Sequence, residues 1–202
     1  MFHLETFTIT QEQAHAATLH QFVKNPLRSA PAPGEYLRLI ERPDGTPPST
    51  SSFTMGWGDT LWMSNTPQEQ EDHQTLYDNA PHKGTLLIAG MGVCMSLTRI
   101  LETRPDLNVI QVEKSREVID LNRAHPTNSK VLRDPRVTVV HADINKLDPK
   151  EYPEVTACWF DIWPDICPDN LHEMLSLVKA WNPDRVLEFC GCWSLDAIRE
   201  LL

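Results

Sequence analysis

From residue 66 onward, short apolar runs alternate with longer segments in which apolar residues recur at helical spacing. The apolar runs are typical of buried parallel strands and lie at Thr85–Ala89, Val109–Val112, Arg136–His141, Thr156–Phe160 and Arg185–Phe189. The helical segments lie at about 66–79, Val93–Thr103, Arg116–Ala124, Pro168–Trp181 and Leu195–Leu202. This alternation predicts an α/β fold: a doubly wound, mostly parallel sheet with right-handed crossovers.

The first 65 residues follow a different pattern, which predicts an N-terminal extension over 1–65 before a nucleotide-binding domain over 66–202. A capping-box pattern at Thr10 opens a helix that should run to about Lys24. Glu35–Glu41 and Thr60–Ser64 read as two strands of a hairpin. We expect this extension to serve as a lid over an acceptor or as a homodimer contact.

Composition narrows the class of protein. The chain has 202 residues and a formal net charge of −10, and this charge argues against a nucleic-acid partner, which normally requires a basic face. No apolar run approaches the ~20 residues that span a bilayer. The N-terminal sequence lacks a basic region followed by an apolar one, so a cytoplasmic protein is expected. Five cysteines, an odd number, favour buried free thiols over disulfides or a zinc site.

The stretch Thr85–Lys114 carries the main chemical signal. Gly90-Met91-Gly92 follows the first core strand and precedes a helix, and Glu113 ends the second strand. Glycines at such a turn let the backbone approach a ligand, and the helix start offers unpaired N–H groups. An acid at the tip of the second strand can accept both hydroxyls of a ribose. The pattern predicts a nucleoside-type ligand.

Three acids fall at or just after the ends of strands: Glu113, Asp143 and Asp161. In a doubly wound sheet the carboxyl ends of the strands line the ligand crevice, so these carboxylates should converge there. A dinucleotide is a rival ligand, but Met95 stands where the third glycine of G-x-G-x-x-G belongs. A carboxylate pair holding Mg²⁺ is another alternative, although no third ligand is evident at a suitable spacing.

These residues resemble the class I S-adenosylmethionine-dependent methyltransferases, and within them the spermidine-synthase-like branch, over about Gly58 to Cys190. LLIAGMGVC at Leu86–Cys94 is similar to the family's glycine motif, and VVHAD at Val139–Asp143 is similar to the motif after its third strand. The resemblance implies that the cofactor is S-adenosylmethionine and that the site is lined by Gly90, Met91, Gly92, Glu113, Lys114, Asp143, Ile144, Asp161 and Trp163. Asp161 and Asp165, in the DIWPD run, are the implied catalytic residues.

The sequence departs from this family in four places. Cys94 stands at the third small position of the glycine motif, where the family has glycine. Val93 stands where aminopropyltransferases carry an aspartate. Ile162 and Trp163 replace small hydroxyl residues after the fourth strand. Only one helix is predicted after the fifth strand, so the usual C-terminal β6/β7 hairpin is not expected. The first three departures argue against polyamine synthesis, and the fourth concerns the edge of the sheet and part of the acceptor site.

Each candidate also has a purely structural interpretation. Glu113, Asp143 and Asp165 could each cap the following helix or turn, and Trp163 could be a core residue. His141 is interpreted as a core histidine. His73 and Tyr77 share one helix face and could reach the site, but a solvent-facing histidine beside a packed tyrosine is the preferred interpretation.

The function predicted from the sequence is methylation of a small-molecule acceptor by an S-adenosylmethionine-dependent methyltransferase. The alternatives are an aminopropyltransferase that uses decarboxylated S-adenosylmethionine and a non-catalytic cofactor-binding or regulatory protein. Asp161 either accepts the proton of an amine or hydroxyl acceptor or orients the cofactor's ammonium group, and the sequence does not separate these roles.

Overall fold

A parallel sheet forms the centre of the computed structural model, which describes residues 37–41, 53–57, 60–64, 67–163, 167–184 and 186–200. Its strands are β4 (Lys83–Ala89), β5 (Asp106–Glu113), β6 (Val137–His141), β7 (Ala157–Phe160) and β8 (Phe189–Cys192). They are all parallel and lie in the order β6-β5-β4-β7-β8. The chain therefore builds outward from β4 to β6 and then crosses to the other side of β4 with β7. This reversal beside β4 is the topological switch point at which such sheets bind ligands.

Seven α-helices are described: α1 (Pro67–Asp72), α2 (Gln74–Asn79), α3 (Met95–Thr103), α4 (Arg116–Ala124), α5 (Pro126–Val131), α6 (Leu171–Trp181) and α7 (Leu195–Glu200). Short 3₁₀ turns cover Ile144–Lys146, Pro149–Glu151 and Pro168–Asn170. Helix and strand alternate after β4, as the hydrophobic pattern predicts, so the predicted α/β doubly wound fold is confirmed.

Two hydrophobic cores cover the two faces of the sheet. Thr85–Ala89 is buried throughout because β4 is the central strand, and its successive side chains point to opposite faces. Leu86 and Ile88 pack in the core that includes residues of α2, α3 and α4. Leu87 and Ala89 pack in the other core, with residues of α6 and α7. The carboxyl ends of the strands therefore emerge between two packed layers.

Three more strands precede the core: β1 (Leu37–Glu41), β2 (Phe53–Trp57) and β3 (Thr60–Ser64). They pair antiparallel in the order β1-β2-β3, and β1 lies beside α4. The predicted hairpin of the first and third strands is wrong, because β2 separates them in the sheet. The predicted helix from Thr10 to about Lys24 lies outside the described residues, and the boundary at 65/66 stays a prediction.

Local differences from the predicted elements occur at three further places. The predicted single helix over 66–79 is divided at His73, whose φ and ψ are −97° and 8°. Helix α5 begins directly after α4, because Pro126 starts a helix where a stop is predicted. The last strand is β8, not Arg185–Phe189. The strand pairs with β7 from Phe189 onward, and a Cβ at Gly191 would stand 2.9 Å from Cζ of Phe189 and 3.2 Å from Cζ3 of Trp159, so glycine permits close packing of both rings there.

All five cysteines are free, with Cys94, Cys158 and Cys192 buried. In the part of the chain that the structure describes, every helix is too short or too polar to cross a membrane.

Candidate active site

The loop between β4 and α3 adopts left-handed backbone conformations at the switch point. Gly90 and Gly92 have φ of +92° and +48°, and Cys94, which caps α3, has φ of 61°. Glycine adopts such angles at no steric cost, whereas a residue with a Cβ is strained there. The strained Cys94 is the residue that replaces a small residue of the glycine motif. Met91, between the two glycines, is buried.

Buried amide side chains hold this loop from two sides. Gln111 Nε2, on β5, donates to the carbonyl oxygen of Gly90 at 2.8 Å. Asn122 Nδ2, on α4, donates to the carbonyl oxygen of Gly92 at 2.8 Å, and Asn128 Nδ2 donates to Oδ1 of Asn122 at 2.6 Å. All three amides are almost fully buried. None of the three is predicted from the sequence, although a polar residue inside an apolar strand is a signal for Gln111.

Glu113 lies directly beside the loop. Its Oε2 accepts the backbone N–H of Met91 at 2.8 Å, and its Oε1 accepts the N–H of Ser115 at 2.7 Å. Burial raises the pKa of this carboxyl group, although these N–H groups favour the charged form. A carboxylate has about four acceptor positions, so lone pairs remain on both oxygens for hydroxyl groups of a ligand. Glu113 can therefore accept the N–H at the start of α4 and bind a ribose at the same time.

Asp143 and Lys114 meet at the ends of β6 and β5. Lys114 Nζ lies 3.1 Å from Oδ2 of Asp143, and the lysine side chain is 76% exposed. Asp143 also caps the 3₁₀ turn by accepting the N–H of Asn145. Burial opposes its charge, but the contacts with Lys114 and Asn145 lower its pKa overall. Ile144 is buried in the core shared with α6.

Asp161, after β7, is paired with a histidine that belongs to the segment before the core. His73 Nε2 lies 2.8 Å from Oδ2 of Asp161, and His73 Nδ1 lies 2.8 Å from the carbonyl oxygen of Glu69. His73 is 0% exposed, so the solvent-facing histidine preferred from the sequence is wrong. The packing of Tyr77 is confirmed. Burial is the largest single influence and lowers the pKa of His73, but the charge of Asp161 and the hydrogen bonds with Asp161 and the backbone of Glu69 together outweigh it, and the pKa is raised.

Trp163 is a buried residue of the core that contains α6. Its Nε1 donates to Oε2 of Glu173 at 3.0 Å, and Asn145 Nδ2 donates to Oε1 of the same carboxylate at 3.0 Å. Glu173 therefore joins the segment after β6 to the segment after β7. Asp165 lies outside the described residues.

The structure thus brings several predicted residues to one edge of the sheet. The glycine loop, Glu113, Asp143 and Asp161 all follow carboxyl ends of parallel strands, as expected. The core interpretation of His141 is wrong, because this residue is exposed, and its Nε2 lies 3.1 Å from the carbonyl oxygen of Lys114. Among the described residues, no group of three histidine, cysteine or acidic side chains is arranged to hold a metal ion.

Comparison with known proteins places this fold among solved structures. A probable spermidine synthase from Corynebacterium glutamicum ATCC 13032 aligns with a TM-score of 0.52 and 14% identity over 81% of this chain and 61% of that chain. Spermidine synthase from Thermotoga maritima aligns with a TM-score of 0.45 and 17% identity over 65% of this chain and 46% of that chain. Precorrin-6y C5,15-methyltransferase from Geobacter metallireducens GS-15 aligns with a TM-score of 0.43 and 15% identity over 60% of this chain and 59% of that chain.

These likenesses describe a fold. The solved structures with this fold include methyltransferases, spermidine synthases and a putative Zn-dependent alcohol dehydrogenase, so the likeness shows an all-parallel, Rossmann-like sheet with flanking helices and no particular activity. The chain spans 46% to 61% of the length of the two spermidine synthases and the precorrin-6y methyltransferase. No family model matches the sequence, and no curated protein sequence matches it.

Proposed function

We propose that this protein binds S-adenosylmethionine at the carboxyl edge of β4 and β5 and transfers its methyl group to a small-molecule acceptor. The observation that carries the proposal is the contact between Glu113 and the glycine loop. A half-buried carboxylate at the end of β5 accepts the N–H of Met91 and retains lone pairs for further donors. This arrangement suits a ribose, whose two hydroxyl groups need a fixed acceptor beside a loop.

The residues present fit the cofactor in a specific way. Glu113 would hold the ribose, the backbone of Met91 and Gly92 would line the methionine portion, and Asp143 would accept from the adenine amino group. Gly90 has a structural role instead, because the carbonyl oxygen of Asp161 fills the space that a Cβ on this residue would need. Trp163 has no free N–H to offer, since Glu173 accepts it, so its contribution would be apolar.

When bound, S-adenosylmethionine supplies a methyl group on a positively charged sulfur, and the reaction is an in-line displacement at that carbon. The protein's task is then mainly to align the nucleophile and exclude water. Asp161 lies one strand away from the loop, at the switch point, and its side chain is 11% exposed. It is the group that we expect to contact the acceptor.

The test is calorimetric titration with S-adenosylmethionine, S-adenosylhomocysteine, decarboxylated S-adenosylmethionine, methylthioadenosine and NAD. We expect micromolar or tighter binding of the first two and none of NAD. A preference for the decarboxylated cofactor would instead support aminopropyl transfer. Absence of binding by every compound would refute the proposal, and cofactor binding without turnover on a broad acceptor panel would favour a regulatory protein.

A further inference from the structure

The two hydrogen bonds of His73 fix the number of protons that it shares with Asp161. A backbone carbonyl only accepts, so Nδ1 must carry a hydrogen to bond the oxygen of Glu69. In a neutral imidazole the other nitrogen, Nε2, is then without hydrogen. Two acceptors, Nε2 and Oδ2 of Asp161, cannot bond each other at 2.8 Å unless a proton lies between them. The pair therefore holds one proton more than a neutral histidine and a carboxylate.

The surroundings of His73 favour placing that proton on the ring. The rings of Trp193 and Trp159 lie 6.4 and 6.1 Å from the imidazole, and Trp193 is stacked on it at an interplanar angle of 26°. Aromatic faces attract cations at about this distance. The nearby titratable groups are Asp161 after β7, Glu69 on α1 and Tyr77 on α2. The raised pKa of His73 agrees with this assignment.

A positive ring on His73 cancels the charge of Asp161. A buried ion pair of this kind carries no net charge, and a second proton on the pair would leave an uncompensated buried cation. Of the two carboxylate oxygens of Asp161, only Oδ2 has a hydrogen-bond partner within the described part of the chain. Oδ1 has no partner among these residues and remains available as an acceptor.

The other carboxylates at this edge are already engaged. Asp143 is paired with Lys114, whereas Glu113 keeps its negative charge but binds two backbone N–H groups beside the glycine loop, at the proposed ribose position. A dication such as a protonated diamine requires carboxylates whose charge is not already neutralised, because removing an ammonium group from water is costly. The described part of the crevice offers none beside the acceptor position.

We propose that His73 is the buried counter-ion of Asp161 and that the pair selects an uncharged acceptor group, whose N–H or O–H is held by Oδ1. This inference rests on the proposed transferase function and makes Asp161 a positioning group, not a proton acceptor. An uncharged amine suits it best, since its lone pair can attack while an N–H donates to Oδ1. The nitrogen–carbon bond forms as the carbon–sulfur bond breaks with its electron pair on sulfur, and the product ammonium releases its proton to water.

The charge of His73 can be measured without any ligand. In protein labelled with ¹⁵N-histidine, His73→Gln identifies the His73 signals, and His82→Gln, at an exposed histidine, is the matched control. We expect both ring nitrogens of His73 to be protonated at pH 7.5, and Asp161→Asn to abolish this state. In Asp161→Asn, the amide N–H would donate to an unprotonated Nε2. An unprotonated ring nitrogen in the wild type at pH 7.5 would overturn the proposal.

The selection of an uncharged acceptor is tested with putrescine as the probe, in the presence of methylthioadenosine. We expect no calorimetric binding of putrescine at millimolar concentration. Binding that is lost in Asp161→Asn would overturn the inference, even if the imidazolium is present. If S-adenosylhomocysteine does not bind at all, the proposed function fails, while the NMR result still decides whether His73 is the counter-ion.

Discussion

The carbonyl oxygen of Asp161 lies 1.8 Å from the position that a Cβ on Gly90 would occupy. The backbones that leave β4 and β7 therefore touch at the point where the order of the sheet reverses. Gly90 also has a φ of +92°, which disfavours any residue with a side chain. The glycine that begins the candidate cofactor loop is thus required first by the fold, and it fixes Asp161 next to the loop.

Gly90→Ala should destabilise the protein severely, by about 3 kcal/mol or more, because the clash is with backbone. Gly84→Ala is the comparison variant: its φ is +101°, and the new Cβ would stand 2.5 Å from Oγ1 of Thr156, a side-chain atom that accepts the N–H of Thr85, and not from backbone. We expect a smaller loss there, about 1–2 kcal/mol. Urea denaturation measures both free energies of unfolding. Equal losses at the two glycines would show that backbone angle, and not the contact with Asp161, sets the cost.

Glu113→Ala should weaken binding of S-adenosylhomocysteine by about 10- to 100-fold, because hydrogen bonds to a charged group are worth about 1.5–3 kcal/mol. Part of the loss would come from Met91, whose N–H loses its acceptor. Glu117→Ala removes an exposed carboxylate on the neighbouring helix and serves as the control, with affinity within about twofold of wild type. Isothermal titration calorimetry gives the dissociation constants. Wild-type affinity in Glu113→Ala would refute the placement of the ribose.

Asn122→Ala should reduce the free energy of unfolding by about 2–4 kcal/mol, because it leaves the carbonyl oxygen of Gly92 and the amide of Asn128 without their buried partner. Faster hydrogen exchange at Gly92 and Val93 should accompany the loss. Asn79→Ala removes an exposed asparagine that bonds only its own helix and should change stability by less than about 0.5 kcal/mol. Unchanged exchange in the loop would mean that α4 does not support it.

Stability should decrease with pH above about 6.5, because the folded protein keeps the proton of His73 more tightly than the unfolded chain does. A raised pKa in the folded state contributes stability that is fully present below the ordinary value of 6.5 and is lost as the pH rises through the folded value. The pKa of Glu113 is also raised above its ordinary value of 4.5, so its contribution to stability likewise falls as the pH rises above 4.5. Urea denaturation of wild type and Asp161→Asn between pH 6 and 9 isolates the histidine. The variant should show the flatter dependence, and parallel curves would contradict the prediction.

The core of the fold was predictable because its signals are local. Buried parallel strands read as short apolar runs, and acids such as Glu113 and Asp143 sit where each run ends. The strand at Phe189–Cys192 shows the limit of such signals. Val186, in the predicted strand, is 77% exposed, while the small residues Cys190 and Gly191 pair beside β7 and leave room for Trp159. Packing against a bulky neighbour outweighed β-propensity.

The site was predictable only where its residues follow strand ends. Gln111, Asn122 and Asn128 act through carbonyl oxygens of the glycine loop, and although its place in an apolar strand marks Gln111 as unusual, the sequence around these residues does not identify those partners. The role of His73 depends on Asp161, and helical periodicity alone gives no information about that partner. Whether the predicted residues bind a cofactor stays a prediction that the titrations above test.

The contact between His73 and Asp161 joins residues that are 88 positions apart, whereas Glu113 and Met91 are 22 apart. Closing a longer loop costs more chain entropy, so the contact of Glu113 costs less to form than that of His73. Arg104 holds α2 against the core by donating to the carbonyl oxygens of Tyr77 at 2.7 Å and Ala80 at 3.1 Å. The crevice thus joins one contact that is local to the β4–α3–β5 unit with one that depends on α1 and α2, and undocking of these helices would disable Asp161 while the contact of Glu113 with the loop stays intact.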